Sequence, residues 1–280
     1  MIQPDDLDLP VVDDHLHLDP VEGSPLEAAR EFAAAGGSHL FVVNKPSWSL
    51  GVEVAEAEDF ERGFDLTLDV CRDAASALDG DIHPVFGVHP ALISRLVDRG
   101  MSADEAADLM REGLDVAAGY VEDGAAVALK SGRPHYDVSD EVWRASNDVI
   151  DHAFELGARC DCAVQLHAEA EEEFGDVGDR AVAAGMERER VVKHYSSPGV
   201  EGVTPSVLAR EDWLREALEN DRDFAMETDF LDDPERPGAV LGPRTVPRRV
   251  RSLLEEGYRE GLRRANVDVP ERVYGVSIER

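Results

Sequence analysis

Val11-Val12-Asp13-Asp14-His15-Leu16-His17-Leu18-Asp19 is the stretch from which the rest of the chain is read. It is a short apolar run that ends in two histidines one residue apart. A strand places alternate side chains on one face, so His15 and His17 project together from its end while Leu16 faces the other way. Two imidazoles aimed the same way can chelate a metal ion. Taken alone, the pair is equally consistent with two ordinary histidines near a strand end. The later parts of the chain separate the two readings, because they supply more histidines and one aspartate at the ends of further strands.

Working outward, apolar strands alternate with amphipathic helices. Ser24-Pro25 starts a helix that stops at Gly36-Gly37, since proline suits the first helical turn and glycine the end. The second strand is expected at residues 39–44. A long acidic helical region at 52–78 leads to the third strand, 82–88, which closes with His89-Pro90. A helix at 103–121 precedes the fourth strand, 125–130, and another at 139–156 precedes the fifth, 162–167. Four strand–helix units in succession argue for a parallel sheet, because parallel strands need crossovers and helices supply them.

The second half is less regular. A helix at 176–184 leads to a sixth strand at 190–194, and only Ser, Pro and Gly surround a weak seventh strand at 200–203, so one crossover helix is missing there. A helix at 207–218 leads to the eighth strand, 224–229, and a last long helix is expected at 247–265. Eight strands in 280 residues match a (β/α)₈ TIM barrel, which runs about 250 residues as one domain and leaves no exposed edge.

Composition bounds the setting. The chain carries 28 basic and 60 acidic residues, a net charge of −32 spread along its whole length. Such a charge makes a protein repel itself at low ionic strength, whereas near 1 M salt the screening length falls to roughly 3 Å. Lys45, Lys130 and Lys193 are the only lysines. The acidic, lysine-poor composition resembles that of proteins from halophilic archaea. No apolar run reaches the roughly 18 residues of a membrane span, and the acidic opening at residues 1–9 lacks the order of a secretory signal, so a soluble, cytoplasmic protein is expected with no membrane partner. Cys71, Cys160 and Cys162 form neither a disulfide framework nor a zinc ribbon.

His15, His17, Lys130, His167, His194 and Asp229 all fall at the ends of expected strands. In barrels of this class the site lies at the C-terminal face, where strand ends converge. The agreement of six positions carries weight that no one of them has alone.

His-x-His after strand one, Gly87-Val88-His89-Pro90 after strand three, one histidine after each of strands five and six, and Glu227-Thr228-Asp229 after strand eight together resemble the TatD-type metal-dependent hydrolases, a branch of the amidohydrolase superfamily. Gly132-Arg133-Pro134-His135-Tyr136 and Pro270-Glu271-Arg272-Val273-Tyr274-Gly275-Val276 look more like an archaeal group of that branch than the bacterial nucleases. The resemblance implies a divalent metal centre of one or two ions, Zn, Mn or Mg. His15, His17 and Asp229 would hold one ion and His167 and His194 the second, with the strand-four residue bridging. Imidazole and carboxylate suit such ions, which polarise a phosphoryl oxygen and activate water. Asp229 would be both ligand and general base.

One position departs from the pattern. Bacterial members carry glutamate where the register of Gly132-Arg133-Pro134 places Lys130, and a free ammonium cannot ligate a cation. Either the second ion is lost or the lysine is carboxylated. His89, Arg133 and His135 are expected to bind a substrate phosphate, the guanidinium matching its oxygens in a fork. Glu227 is expected to support the site from behind Asp229. Arg244, Arg248 and Arg249 fit surface charge as well as phosphate contacts, and His39, His83 and His152 are read as structural.

The expected function is metal-dependent phosphodiester hydrolysis of the deoxyribonuclease kind. An amidase or phosphotriesterase-like activity with a carboxylated lysine is the alternative, and a non-catalytic binding barrel a third reading. With no basic stripe, the expected substrate is small or single-stranded and duplex binding weak. Oligomeric state is not readable from the sequence.

Overall fold

The computed structural model describes residues 8–235 and 240–279, so residues 1–7 of the acidic opening lie outside the described residues. Among the described residues nine parallel strands form one sheet: β1 (Val12–His17), β2 (His39–Val43), β3 (Ile82–Gly87), β4 (Ala128–Gly132), β5 (Ala163–His167), β6 (Val191–Ser196), β7 (Thr204–Leu208), β8 (Ala225–Glu227) and β9 (Phe230–Leu231). Their spatial order is β8-β7-β6-β5-β4-β3-β2-β1-β9. β8 and β9 are two parts of one strand path broken at Thr228-Asp229. β8 pairs with β7, and β9 pairs with β1 through Leu16↔Phe230 and His17↔Leu231. Between them the Thr228 amide donates to Asp13 Oδ1 at 3.0 Å and the Asp229 amide to the His15 carbonyl at 2.9 Å. The sheet therefore closes on itself as the expected barrel.

Helices wrap the outside: α1 (Pro25–Ala34), α2 (Asp59–Ala75), α3 (Leu92–Asp98), α4 (Ala103–Glu122), α5 (Asp140–Cys160), α6 (Gly175–Ala183) and α7 (Glu211–Glu219), then α8 (Thr245–Glu255) and α9 (Arg259–Arg263), whereas α10 (Val269–Tyr274) packs against the inner face of the strands. Local chemistry sets their starts. Pro25 opens α1, Ser102 and Glu105 form a reciprocal capping box on α4, and the Ser139 hydroxyl accepts from the Val142 amide on α5. Phe60, Phe64, Phe86, Leu114, Phe154 and Leu166 are among the residues that fill the layer between sheet and helices. Among the described residues no helix is long and apolar enough to cross a membrane.

A second core fills the barrel itself. Val12, Phe41, Val85, Ala128, Ala163, Val192 and Ala225 from the strands meet Val269, Val273, Tyr274 and Ile278 from the C-terminal segment. Three alanines on inward positions leave room for the side chains of α10, and Tyr274 lies against Phe41 with ring centroids 4.2 Å apart.

The register of β1 holds the main departure from simple alternation. Asp13 pairs with Leu40 but Leu16 with Val42, so β1 carries one extra residue. A bulge of this kind re-aims side chains. Asp14 is fully buried near Tyr274 and Ser206 with neither carboxylate oxygen hydrogen-bonded among the described residues, while His15 Nδ1 meets Gln165 Oε1. Both residues thus face the interior, in addition to His17.

Several boundaries need correction. The seventh strand is not 200–203 but Thr204–Leu208, and α7 begins at Glu211, not at 207. Gly202 at φ 91 turns the earlier segment, whereas burial between two neighbours keeps 204–208 extended despite Pro205. As expected, no helix lies between β6 and β7 in the described residues. Helix appears in the 52–78 region only from Asp59, and α3 was not expected. The last long helix stops at Glu255 beside Gly257 at φ 97, and a π turn precedes α10. β4 starts three and ends two residues later than expected, so Lys130 sits mid-strand, not at the strand end, as does Lys193 in β6.

Candidate metal centre

The C-terminal ends of the strands surround a cavity of about 740 Å³ whose walls include His17, His89, Lys130, His167, His194 and Asp229. Two glycines allow the strand ends to pack this closely. A Cβ on Gly87 would lie 1.8 Å from the Lys130 carbonyl oxygen, and one on Gly132 1.8 Å from that of His167.

His15 and His17 are each oriented by a hydrogen bond from the ring nitrogen that faces away from the cavity. His17 Nδ1 donates to the Val43 carbonyl at 2.8 Å, and His15 Nδ1 meets Gln165 Oε1 at 2.7 Å. Their Nε2 atoms lie 3.7 Å and 3.9 Å from Asp229 Oδ1. Burial first, and then the Lys130 ammonium, hold both imidazoles well below their ordinary pKa, so each presents a neutral lone pair near pH 7. Asp229 sits at φ 49 in the break between β8 and β9, a left-handed conformation that aspartate tolerates better than most residues. Two neutral imidazole nitrogens and one carboxylate, all within reach of a common point, fit a divalent ion.

A second group of potential ligands adjoins the first. His15 and His194 stack at 4.0 Å with rings 8° from parallel, and Glu227 joins them. Glu227 is fully buried, and its Oε1 accepts from the Tyr195 amide at 2.8 Å and lies 3.4 Å from His194 Nδ1. Burial and then the Asp229 charge push its carboxyl well above the ordinary range. His194 Nε2 lies 2.8 Å from His167 Nδ1, and His167 Nε2 lies 2.9 Å from His135 Nδ1. His89 packs beside His167 with ring centroids 4.6 Å apart.

Lys130 reaches into the middle of these groups. Its Nζ is 3.5 Å from His15 Nε2, and burial lowers its pKa to about 8 against the opposing pull of Asp229 and Glu227.

The remaining expected residues divide. His89 lines the cavity, and the exposed His135 touches the centre through His167. Arg133 does not line that cavity. Its Nε donates to Glu169 at 2.8 Å, a second fork nitrogen also reaches Glu169, Nη1 donates to Asn147 at 3.1 Å, and the guanidinium lies 4.7 Å over Trp143. The fork expected to take a substrate phosphate is thus filled by a carboxylate of the chain itself. Arg244 pairs with Glu31 and Arg249 with Glu211, as ordinary helix-start charges do. Lys45 does line the cavity but is paired with the buried Asp19. Lys193 donates to the His194 carbonyl at 2.7 Å and lies over the Phe174 ring at 5.7 Å, and it does not line the cavity. Sequence reasoning missed Gln165, Asp14 and Tyr274. Gln165 lies two residues before His167 in one strand, and that spacing is the one signal that could have revealed it.

The TatD related DNase family model matches residues 12–275. The chain is 36% identical to an uncharacterized protein of Methanocaldococcus jannaschii over 97% of this chain and 98% of that one. Among solved structures, a TatD homolog from Escherichia coli superposes with a TM-score of 0.61 at 19% identity, covering 99% of this chain and 100% of that one. A variant of a PTE-like lactonase from Deinococcus radiodurans superposes with a TM-score of 0.63 at 14% identity, covering 98% of each chain.

Proposed function

Because the chain belongs to the TatD related DNase family and is a metal-dependent hydrolase, we propose that it cleaves phosphodiester bonds in short or single-stranded nucleic acid. In this reading His15, His17 and Asp229 hold one divalent ion, and His167 and His194 take part in holding a second. The observation that carries it is the convergence of His15 Nε2 and His17 Nε2 on Asp229 Oδ1 at the mouth of a large cavity. The bound ion, Zn, Mn or Mg, supplies Lewis acidity toward a phosphoryl oxygen and lowers the pKa of a water. Asp229 accepts the proton of the attacking water as its oxygen adds to phosphorus, and the proton passes on to the leaving oxygen. His89 and His135 face the substrate beside this centre. Kinship with the methanogen protein supports an archaeal branch of the family.

Turnover of a phosphodiester ester and of a single-stranded oligonucleotide, measured with added Mn, Zn or Mg in molar salt, tests this reading. Chelation should abolish both activities. Turnover of lactone or phosphotriester substrates without any phosphodiester cleavage would overturn it.

One observation favours a second reading. Lys130 is buried among the ligands, and its hydrogen-bond neighbour is an imidazole nitrogen, not a carboxylate. Its neutral amine would add to carbon dioxide, forming one N–C bond and releasing one proton to solvent. The carbamate so formed is a two-oxygen anion able to bridge two ions, as suits a phosphotriesterase-like or amidohydrolase chemistry. ¹³C-bicarbonate should then label wild-type protein in the presence of metal but leave Lys130→Ala unlabelled. An unmodified amine in wild type under those conditions excludes the bridge.

A further inference from the structure

His17 and His15 are oriented by different means. His17 leans on a backbone carbonyl, which every sequence supplies. His15 leans on a side chain, Gln165 Oε1, and that amide is itself held in place by two groups: Gln165 Nε2 donates to the Asp14 carbonyl at 2.9 Å and to the Tyr274 hydroxyl at 2.7 Å. The Asp14 carbonyl can only accept, so the nitrogen of the amide must face it. The oxygen must then face His15. An amide oxygen also only accepts, so His15 Nδ1 must carry the hydrogen and Nε2 must carry the lone pair. Every atom in this chain of contacts is buried: Gln165 and His15 are 0% exposed and Tyr274 is 4% exposed. Solvent does not compete for the bonds.

Tyr274 is the last residue of α10, the C-terminal element that fills the lower barrel, and its ring is fixed against Phe41. Its hydroxyl accepts from Gln165, and Asp14, brought inward by the bulge in β1, is buried beside it. We propose that Gln165 and Tyr274 are positioning residues that set the tautomer of His15, so that docking of the C-terminal helix inside the barrel completes the metal centre at its opposite end. The inference rests on His15 being a ligand, yet the tautomer can be read without any metal.

The test uses the full-length protein with ¹⁵N-labelled histidine, stripped of metal. The His15 signals are assigned by their loss in His15→Ala. Wild type should show a protonated Nδ1 and a bare Nε2 at His15 and also at His17. Gln165→Met removes the acceptor with little change of volume. Part or all of the His15 population should move to the Nε2–H form while His17 stays as it was, and the affinity for Zn or Mn should fall about 10–100-fold. Tyr274→Phe keeps the ring against Phe41 and should give the same changes in smaller measure. Gln165→Glu, with one carboxyl oxygen protonated to donate to the Asp14 carbonyl, restores an acceptor toward His15 and should bring the Nδ1–H form back. A His15 that keeps its Nδ1–H form and its metal affinity in both Gln165→Met and Tyr274→Phe overturns the proposal. Should the tautomer move in a protein whose wild type takes up no divalent ion, the metal reading fails and the positioning of His15 stands.

Discussion

The Asp229 amide donates to the His15 carbonyl at 2.9 Å, so the bond that joins the last strand path to the first also ties the candidate general base to a candidate ligand. Barrel closure and the placing of the site share this bond. Asp229 reaches that position only in a left-handed conformation, at φ 49. Asparagine tolerates this conformation and alanine does not, at a difference of roughly 1–2 kcal/mol. Asp229→Asn should therefore melt near wild type, whereas Asp229→Ala should melt lower. Both should lose about 10²-fold or more in turnover. Calorimetry and kinetics of the pair check this, and a fully active Asp229→Asn would remove Asp229 from the chemistry.

His15→Ala should lose bound metal and activity while keeping its folded structure, because the ligands stand at one end of an already packed barrel. Metal analysis with circular dichroism on the same sample reads both. Full metal content in this variant would place the ion elsewhere.

Long duplex should bind weakly. The cavity walls carry Asp19, Glu22, Asp233 and Glu235, the Lys45 charge is taken up by Asp19, and the whole chain stands at −32. Phosphate-driven affinity needs clustered lysine or arginine facing the ligand. Filter binding at molar salt should show single-stranded ends preferred over duplex, and tight duplex binding would contradict the cavity-mouth reading.

His83 gives a pH test away from the metal centre. It is buried at the opposite end of the barrel, against Phe41 at 4.7 Å and His39 at 5.8 Å, and burial first, then the neighbouring His39, lower its pKa to about 4. The native ring stays neutral where the unfolded chain would take up a proton. Its contribution is whole above pH 6.5 and is lost as pH falls toward 4, at most about 3 kcal/mol. His83→Phe should thus gain stability relative to wild type as pH is lowered from 7 to 4.5. A constant difference in melting temperature across that range would show that His83 does not titrate on unfolding.

The sequence by itself determined the barrel class, because strand–helix alternation permits a parallel sheet and little else, and it marked the histidines and Asp229 as one set, because strand ends of such a sheet must converge. The reach of single residues was decided only by the tertiary structure. Arg133 reads as a phosphate fork until Glu169, 36 positions away, is seen to fill it. Lys130 reads as a strand-end residue, but β4 ends two positions later, at Gly132, and the long lysine side chain brings Nζ up to His15. The turn of Asp14 into the barrel depends on a one-residue register slip against β2, which no local propensity encodes. Tyr274 touches Gln165 across 109 positions, a contact that exists only once the C-terminal helix has entered a barrel whose inward alanines leave it room. Alternation and spacing are local and survive in the bare sequence. Register, side-chain partners and the filling of the barrel depend on which distant surfaces meet, and only the folded chain determines that.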